Sequence, residues 1–502
     1  MRSLLFFCEM LALLPIVVAR PFVGVLIFSF ISFSSLHRFT WGFAGSLPWV
    51  YVTAVLTLIG CVVAREPKRL PVNATTLLVL SFLICITLTS IVALAPFDAV
   101  ETKWEWVAKV YFFLLVTAAL LTDRYRIHAL LWVMVISLGY YGVKGGGFTL
   151  LTGGGGRVLG PPSSMISDNN HLAAALLVTL PIINYLRMQS AHRIIRIGLL
   201  LGMVLTLFAV VGSYSRGALV GLAAVSVVLW LRSPNKIITA ALIVVAVTSA
   251  VSVMPQEWQD RMWTLQDAEA TQSGQSRLAM WHAAWKMAVA RPLTGVGFMG
   301  PYNATVMETY SPGTTPRAVH SIWFETLGEQ GFPTFLVWLA LSGVAVLNTF
   351  AIQRESKRIP ELQWCRDLAR MTQVSIVAYM VAGTFLSLGY WDFYFTLLVV
   401  IAATRMLVRQ AVREAGRALS PDIGWRPRPL PGMTLPGLSV AGGPSQAGQG
   451  PGFRPAGGGT RGGILPGRQA SARIAPPARG ATAPAHGATP PAHGVTRTGF
   501  DG

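Results

Sequence analysis

The chain has 502 residues, of which 53% are hydrophobic and only 12% are charged. About a quarter of the residues in a soluble domain are charged, so this composition excludes an ordinary soluble protein and indicates a polytopic membrane protein. The net charge of +19 lies in short loops and a C-terminal tail, without interleaved aromatic residues on a soluble domain, so we expect no nucleic-acid partner. The four cysteines have neither zinc-site nor disulfide spacing, and we expect no metal.

The N-terminal residues form an apolar stretch that Arg20 and Pro21 interrupt. The stretch has no polar segment and no small-residue cleavage site before Arg20, so we expect a retained membrane segment rather than a removed signal peptide. The first 36 residues are ambiguous, because Arg20 and Pro21 split them into two pieces of marginal length for a crossing. The distribution of basic loop residues fits if residues 4–36 form one crossing, broken or partly re-entrant at Pro21, or if the N-terminus lies outside. We adopt the single crossing.

Further apolar runs approach the length of about 17 to 25 residues that a bilayer crossing requires. They lie at 48–64, 74–95, 105–122, 126–144, 172–187, 194–212, 216–231, 236–254, 331–351, 371–388 and 391–408. The sequence therefore predicts an all-α polytopic membrane protein with about twelve transmembrane helices.

Lysine and arginine residues are concentrated in every second connection between these runs. The basic connections fall within 65–69, 124–126, 187–196, 232–236, 354–358 and 405–413. The positive-inside rule makes them cytoplasmic, with both termini on the same side. The alternate connections, at 145–162, 213–216 and 255–320, are then external.

These boundaries divide the chain into four parts. We expect N-terminal transmembrane helices at 1–254, a large external loop at 255–330, C-terminal transmembrane helices at 331–410 and a tail at 411–502. The tail is basic and rich in Gly, Pro and Ala, so we predict cytoplasmic disorder.

The long external loop contains a helical pattern between Arg277 and Ala290. Apolar residues recur there at helical spacing, and Trp281 and Trp285 lie one turn apart. This pattern predicts an amphipathic helix along the outer membrane surface, with both tryptophans at headgroup level. A loop of this length is normally functional.

Four arginines on the external side are candidate phosphate ligands: Arg216, Arg277, Arg157 and Arg317. Arg216 begins an apolar run directly after three polar residues, and Arg277 opens the amphipathic helix. Guanidinium groups bind phosphate oxygens in a bidentate manner, so a diphosphate fits such a cluster. The alternative is that these arginines contact lipid headgroups or solvent without binding a substrate.

His320 is the candidate proton acceptor, because it lies on the same external side and imidazole titrates near neutral pH. Glu325 and Glu329 follow it one helical turn apart. They are possible orienting groups for His320, or simply solvated carboxylates.

At these residues the chain resembles the O-antigen ligase and O-antigen polymerase superfamily of membrane glycosyltransferases, and more closely its ligase branch. His320 and Gly331 match its H-x10-G pattern, and the segment from Pro292 to Gly297 fits its external loop. Arg216 has Val220 where the family pattern has leucine four positions later. The resemblance extends over roughly residues 20–410 by the length of the matching spans.

The resemblance implies a C-type membrane-embedded architecture in the bacterial inner membrane, with a periplasmic active site. It implies metal-independent, inverting transfer of a glycan from undecaprenyl diphosphate to a sugar hydroxyl of lipid A-core, without a cofactor. His320 would be the general base, and Arg216 and Arg277 would bind the donor diphosphate. The partners would be this donor, the lipid A-core acceptor and membrane lipids.

Two groups of alternatives remain open from the sequence. An O-antigen polymerase or a protein O-oligosaccharyltransferase would have a similar donor site. A lipid-linked oligosaccharide transporter also carries cations among many spans, although it would favour a central charged cavity and internal repeats.

Overall fold

A computed structural model describes residues 2–39, 43–263 and 272–419. Within these ranges the chain folds into α-helices joined by loops and short 3-10 turns, which confirms the all-α prediction. The helices are α1 (Arg2–Ala19), α2 (Pro21–Ser34), α3 (Phe43–Ser46), α4 (Trp49–Val63), α5 (Ala74–Ile91), α6 (Phe97–Leu120), α7 (Arg124–Leu151), α8 (Asn169–Gln189), α9 (Arg193–Val211), α10 (Arg216–Arg232), α11 (Lys236–Ser252), α12 (Gln256–Trp263), α13 (Gln272–Ala290), α14 (Ala304–Tyr310), α15 (Ile322–Glu355), α16 (Gln363–Gly383) and α17 (Asp392–Leu419).

Six of the described helices are long and apolar enough to cross a membrane: α5, α7, α8, α9, α15 and α17. Helices α1, α2, α4 and α11 are apolar but shorter. Several helices begin at a polar residue whose side chain accepts a backbone N–H, namely Asn73, Asp123, Asp168 and Ser215. These are the features of a polytopic membrane protein, and the count of twelve crossings stays a prediction.

The expected single crossing by residues 4–36 is wrong, because the backbone reverses between α1 and α2. Met10 of α1 packs with Ile31 of α2, and a Cβ added to Gly24 of α2 would lie 2.8 Å from a methyl group of Val17 in α1. Proline has no N–H and suits the first turn of a helix, so Pro21 starts a new helix after the reversal. The two helices form an antiparallel pair.

The long helices run alternately in opposite directions, so their connections gather at two ends of the bundle. At one end Arg126 pairs with Glu66 at 2.7 Å, and Arg405 pairs with Glu355 at 3.2 Å. These ion pairs join connections that the sequence predicts to be cytoplasmic. We call this the basic end.

At the opposite end, the amide nitrogen of Asn169 donates to the carbonyl of Ser213 at 2.7 Å, and Leu94 N–H donates to the carbonyl of Val296 at 2.9 Å. We call this the site end. Because α1 and α2 are antiparallel, the start of α1 lies at the site end, whereas α17 runs toward the basic end. The expectation that both termini lie on one side is therefore wrong for the described residues.

Helix α13 contains the predicted amphipathic segment but begins five residues earlier, at Gln272. Its buried methionines and alanines pack against the segment from Val296 to Val319. The indole of Trp281 stacks on Phe324 of α15 at a centroid distance of 5.5 Å, while Trp285 is exposed. Trp281 is therefore half-buried against α15, and the position of both tryptophans at headgroup level stays a prediction.

Helix α15 is interrupted at Gly331, which has φ 73° and ψ 177°. The interruption lets the segment 292–297 pack against the first part of α15: Val296 N–H donates to the carbonyl of Gly328 at 3.0 Å, and Phe332 N–H donates to that of Pro292 at 2.8 Å. This part of α15, residues 322–330, follows His320 directly, so these hydrogen bonds fix the backbone beside the candidate base.

Helix α17 continues to Leu419, beyond the boundary predicted at residue 410. The predicted disorder of residues 411–502 is therefore wrong for 411–419, which are helical. The rest of that tail, from residue 420, lies outside the described residues.

Candidate active site

His320 lies at the site end, one residue before the N-cap of α15. Its backbone has φ 52°, and its N–H donates to the hydroxyl of Ser387 at 2.9 Å. The ring nitrogen Nδ1 is buried and has no hydrogen-bond partner within the described part of the chain. Burial first, and then the nearby charge of Arg277, lower the pKa of His320 to about 4. The imidazole is therefore neutral at pH 7 and can accept a proton.

A second histidine, His171, faces His320 with a ring-centroid distance of 6.3 Å. Its Nδ1 contacts Oδ1 of Asp168 at 2.8 Å. Asp168 also caps α8, because the same oxygen accepts the N–H groups of Asn170 and His171. Burial alone would raise the pKa of Asp168, but the hydrogen bonds from His171 hold it well below its usual range. A carboxylate is thus fixed beside the two imidazoles.

Three arginines from three helices interact electrostatically with one another, and one of them, Arg277, also acts on His320. Arg216 begins α10, Arg261 lies on α12 and Arg277 lies on α13. Burial and then the positive charge of Arg216 lower the pKa of Arg277, and Arg261 adds to this effect. Likewise, burial and the charges of Arg157 and Arg216 lower the pKa of Arg261. The mutual influence of these guanidinium groups places them within electrostatic range of one another.

The loop between α9 and α10 explains how Arg216 and Arg261 meet. Tyr214 is buried with φ 60°, and its carbonyl accepts the Nε–H of Arg261 at 3.2 Å. Ser215 caps α10 by accepting the N–H of Ala218 at 3.2 Å. Because the N-terminus of a helix carries a partial positive charge, Arg216 and the first turn of α10 together favour an anion.

The other two predicted arginines lie at the margin of the site and are exposed. Arg157 contributes charge on the side of Arg261 and Tyr214. Arg317 is the weakest of the charges that act on His320. The structure therefore brings all four predicted arginines to the same end of the bundle, where Arg277 and Arg317 act on His320 and Arg216 acts on Arg277.

Glu325 and Glu329 do not hydrogen-bond to His320, so the expected direct orienting contact is absent from the described residues. Glu325 accepts the backbone N–H of Gly389 at 3.1 Å. Glu329 accepts the hydroxyl of Tyr390 at 2.9 Å and a backbone N–H at 3.2 Å. Both carboxylates are buried, and they face the segment before α17 instead of the histidine.

Sequence reasoning missed Asp168, His171 and Arg261. The first two had a detectable signal, because the polar run Asp-Asn-Asn-His stands directly before the apolar run 172–187 on the predicted external side. An ionisable group at the border of a span is a functional candidate by default. Arg261 had no comparable signal, since it lies among other charged residues in the long loop.

The site thus combines clustered guanidinium groups, a neutral imidazole and an imidazole–carboxylate pair. Guanidinium groups bind phosphate oxygens, and a neutral imidazole can remove a proton from a hydroxyl group. Among the described residues, no cluster of three or more His, Cys, Asp or Glu could hold a metal ion.

These features define a polytopic all-α membrane protein with a candidate anion-binding site and a candidate general base at one end of its helical bundle. Residues 201–339 match the family model described as O-antigen ligase. The chain therefore carries an O-antigen ligase family domain, which confirms the resemblance inferred from His320 and Gly331.

Residues 1–191 match a second family model, described only as a family of unknown function. A comparison with curated proteins gives no match. The ligase domain contains His320, Arg216, Arg261 and Arg277, whereas the N-terminal region contains Asp168, His171 and Arg157. The candidate site is therefore built from both matched regions.

Proposed function

We propose that this protein is a glycosyltransferase of the bacterial inner membrane that moves a glycan from undecaprenyl diphosphate to a sugar hydroxyl of lipid A-core. The proposed reaction takes place on the periplasmic side, inverts the anomeric carbon and needs no metal. The observation that carries this proposal is the convergence of Arg216, Arg261 and Arg277 beside His320, inside a region that matches the O-antigen ligase family.

The arrangement of charge supports a periplasmic site. The connections rich in lysine and arginine gather at the basic end, and the candidate site lies at the opposite end. The positive-inside rule assigns the basic end to the cytoplasm. The donor diphosphate would then bind at the outer headgroup level, where undecaprenyl chains remain in the membrane.

The proposed chemistry starts with the donor diphosphate bound by Arg216, Arg261 and Arg277. His320 removes the proton from the acceptor hydroxyl, and the oxygen attacks the anomeric carbon of the donor sugar. The new glycosidic C–O bond forms as the C–O bond to the diphosphate breaks. The guanidinium groups stabilise the negative charge on the departing undecaprenyl diphosphate.

Asp168 and His171 have a supporting role in this proposal. The carboxylate of Asp168 stabilises the positive charge that His320 acquires when it takes the proton, because it is one of the groups that raise the pKa of His320. His171 is held by Asp168 and presents its ring to His320. We call Asp168 and His171 positioning residues, since they act through His320.

The alternatives differ in the acceptor or in the reaction. A polymerase would transfer the glycan to a second lipid-linked repeat, and a protein O-oligosaccharyltransferase would transfer it to a Ser or Thr side chain. A transporter would move the donor across the membrane without breaking a bond. The site at one end of the bundle favours transfer over transport, because transporters bind their substrates near the membrane midplane.

The test uses purified full-length protein in proteoliposomes with an undecaprenyl-diphosphate-linked glycan. Separate reactions contain lipopolysaccharide that lacks O antigen, a Ser/Thr peptide, or donor alone, and the products are resolved by mass. We expect transfer to the lipopolysaccharide. His320→Gln should lower kcat by about 10²- to 10⁴-fold, which is the usual contribution of a general base.

Two controls separate a chemical role from a folding defect. His282→Gln changes an exposed histidine on α13 and should retain wild-type activity. Binding of undecaprenyl diphosphate to His320→Gln should stay within twofold of wild type. Full activity in His320→Gln would refute the assignment of the base, and product on the peptide or on a second donor would change the acceptor class.

A further inference from the structure

A cavity of about 820 Å³ opens beside the candidate site. It lies between α2, α4, α6, the loop before α8 and the start of α17. Its volume falls in the upper part of the range for small-molecule sites, about 300 to 1,000 Å³. The reaction proposed for His320, Arg216 and Arg277 does not use any residue of this cavity, so its role needs a separate explanation.

The lining combines aromatic rings with charged and hydroxyl groups. Tyr51 and Trp106 present ring surfaces to the cavity, and Thr102 and Ser163 contribute hydroxyl groups. Lys103 is also part of the wall, and its Nζ lies 5.1 Å from the ring centroid of Trp106. Flat apolar faces beside hydroxyl, ammonium and carboxylate groups suit a sugar, which has apolar C–H faces and many hydroxyls.

The lining is mostly apolar, but charged and hydroxyl groups interrupt it. A prenyl chain would gain nothing from Lys103, Lys109 or Glu105, and it would remove water from them at a cost in free energy. The carboxylate of Asp392, also in the wall, accepts hydrogen bonds from the Ser32 hydroxyl and from the N–H of Phe393. The lining therefore suits an amphipathic guest that offers both apolar faces and hydroxyl groups, as a sugar does.

The cavity is adjacent to the candidate base through two short pieces of chain. Ile166 lines the cavity and Asp168 lies two residues further on, so their Cα atoms are at most about 7 to 8 Å apart. Trp391 lines the cavity, and the preceding residue, Tyr390, donates its hydroxyl to Glu329. Two lining residues are thus close in sequence to Asp168 and to Tyr390, which brings the cavity wall to the same end of the bundle as His320.

Lys103 gives a second link. Its ammonium lies over the ring of Tyr390 at 5.5 Å, and it interacts electrostatically with Glu325 and Glu329. Glu325 in turn lies within electrostatic range of His171. Lys103, Glu325 and His171 therefore form a series of electrostatic interactions that runs from the cavity wall to the imidazoles.

The arginines for the donor diphosphate come from α10, α12 and α13, none of which lines the cavity. With the exception of Trp391 and Asp392, every lining residue lies between 28 and 166. These positions fall inside the region 1–191 that matches a family of unknown function. The ligase family domain, residues 201–339, contributes none of the lining.

We propose that this cavity binds the carbohydrate part of the acceptor, so that the N-terminal region of unknown function supplies the acceptor site of the enzyme. The inference rests on the proposed function, because it needs a second substrate for His320 to deprotonate. The donor occupies the arginine side of the imidazoles and the acceptor sugar occupies the cavity side, with the reacting hydroxyl directed toward His320.

The experiment fills the cavity from α6. Thr102→Trp adds an indole at an exposed lining position, and Glu101→Trp adds the same group to the neighbouring exposed position outside the lining. Both variants are made in the full chain. The probes are lipopolysaccharide without O antigen as substrate, its delipidated core oligosaccharide for calorimetric binding, and undecaprenyl diphosphate for donor binding.

We expect Thr102→Trp to raise the acceptor KM at least tenfold and to abolish detectable core-oligosaccharide binding. Its Kd for undecaprenyl diphosphate should stay within twofold of wild type, and Glu101→Trp should match wild type in all three measurements. If Thr102→Trp does not fold, Trp106→Ala replaces it, with an expected rise in acceptor KM from the loss of the ring surface.

The outcomes separate this inference from the proposed function. An unchanged acceptor KM in the filled variant overturns the inference, and so does a loss of donor binding without a change in acceptor KM. If the wild-type protein transfers no glycan to any acceptor, the proposed function fails. In that case, core-oligosaccharide binding that Thr102→Trp abolishes still supports a sugar site, and absence of binding to wild type overturns it.

Discussion

The electrostatic surroundings of His320 lead to a pair of opposite shifts in the pH dependence of catalysis. Arg277 lowers the pKa of this histidine, and Asp168 raises it. Arg277→Gln removes a positive charge and should raise the pKa of His320. Asp168→Asn removes a negative charge and should lower it further, while an asparagine at this position still caps α8.

The size of the shifts is bounded by the contributions to the wild-type value. Burial is the largest cause of the depression from 6.5 to about 4, and Arg277 is the second. Burial persists in both variants, so Arg277→Gln should bring the pKa of His320 to a value between 4 and 6.5 without reaching the upper limit. For Asp168→Asn we expect a value below 4.

The assay measures kcat/KM for the donor as a function of pH in proteoliposomes, because this ratio reports ionisations of the free enzyme. The base must be neutral, so activity should fall as the pH drops through about 4 in wild type. The acid limb should lie at higher pH in Arg277→Gln and at lower pH in Asp168→Asn. The quantity compared between wild type and each variant is the pH at the midpoint of the acid limb. A lower overall rate in Arg277→Gln does not change this midpoint.

A matched control is Arg196→Gln, which removes an exposed charge at the basic end and should leave the limb in place. Shifts of the two test variants in the same direction would refute the assigned charges around His320. If the acid limb of the wild-type enzyme has its midpoint at about 6.5, the ordinary pKa of imidazole, His320 is not in a buried environment. The size predicted for the shifts would then be refuted.

Two further predictions concern the backbone at Gly331 and the additional arginine. Gly331→Ala should destabilise the protein by about 1 to 3 kcal/mol from its positive φ alone. The added Cβ would also lie 2.8 Å from backbone atoms of Gly295 and Pro292, which adds a steric cost. Thermal unfolding measures this, with Gly343→Ala as control because nothing lies within 4 Å of its added Cβ; equal melting temperatures would contradict the reasoning. Arg261→Gln should raise the Kd for undecaprenyl diphosphate about tenfold through loss of a charge-assisted hydrogen bond, and a Kd within twofold of wild type would exclude Arg261 from the diphosphate site.

Most of the helical architecture could be predicted from apolar run length, because a segment in a bilayer must satisfy its own backbone hydrogen bonds. The reversal at Arg20 could not, since residues 4–36 read equally as one broken span or as two short helices. What decides it is packing: α1 lies against both α2 and α4, and a Cβ on Gly60 of α4 would lie 2.8 Å from the carbonyl of Val18. Such close approach is a tertiary property that periodicity does not reveal.

The candidate site was predictable to a different extent for each residue type. Arg216 stands at the border of an apolar run, and His320 lies in the long external loop eleven residues before Gly331. The direction of Glu325 and Glu329 was not predictable, because the acceptor capacity of a carboxylate is satisfied by whichever donors the fold supplies. Here those donors are the backbone N–H of Gly389 and the hydroxyl of Tyr390, which come from a loop about sixty residues later in the chain.

The clustered arginines also say something about the state of the site before the donor binds. Burial is the main reason that the pKa values of Arg261 and Arg277 are lowered, and repulsion by the neighbouring arginines lowers them further. A bound diphosphate removes this repulsion, so donor binding stabilises the arrangement of α10, α12 and α13. Arg157 and Asp168 interact with the same guanidinium groups from the N-terminal region. Occupation of the donor site by an anion therefore also favours the position of the loop that leads from Arg157, past the cavity wall, to His171.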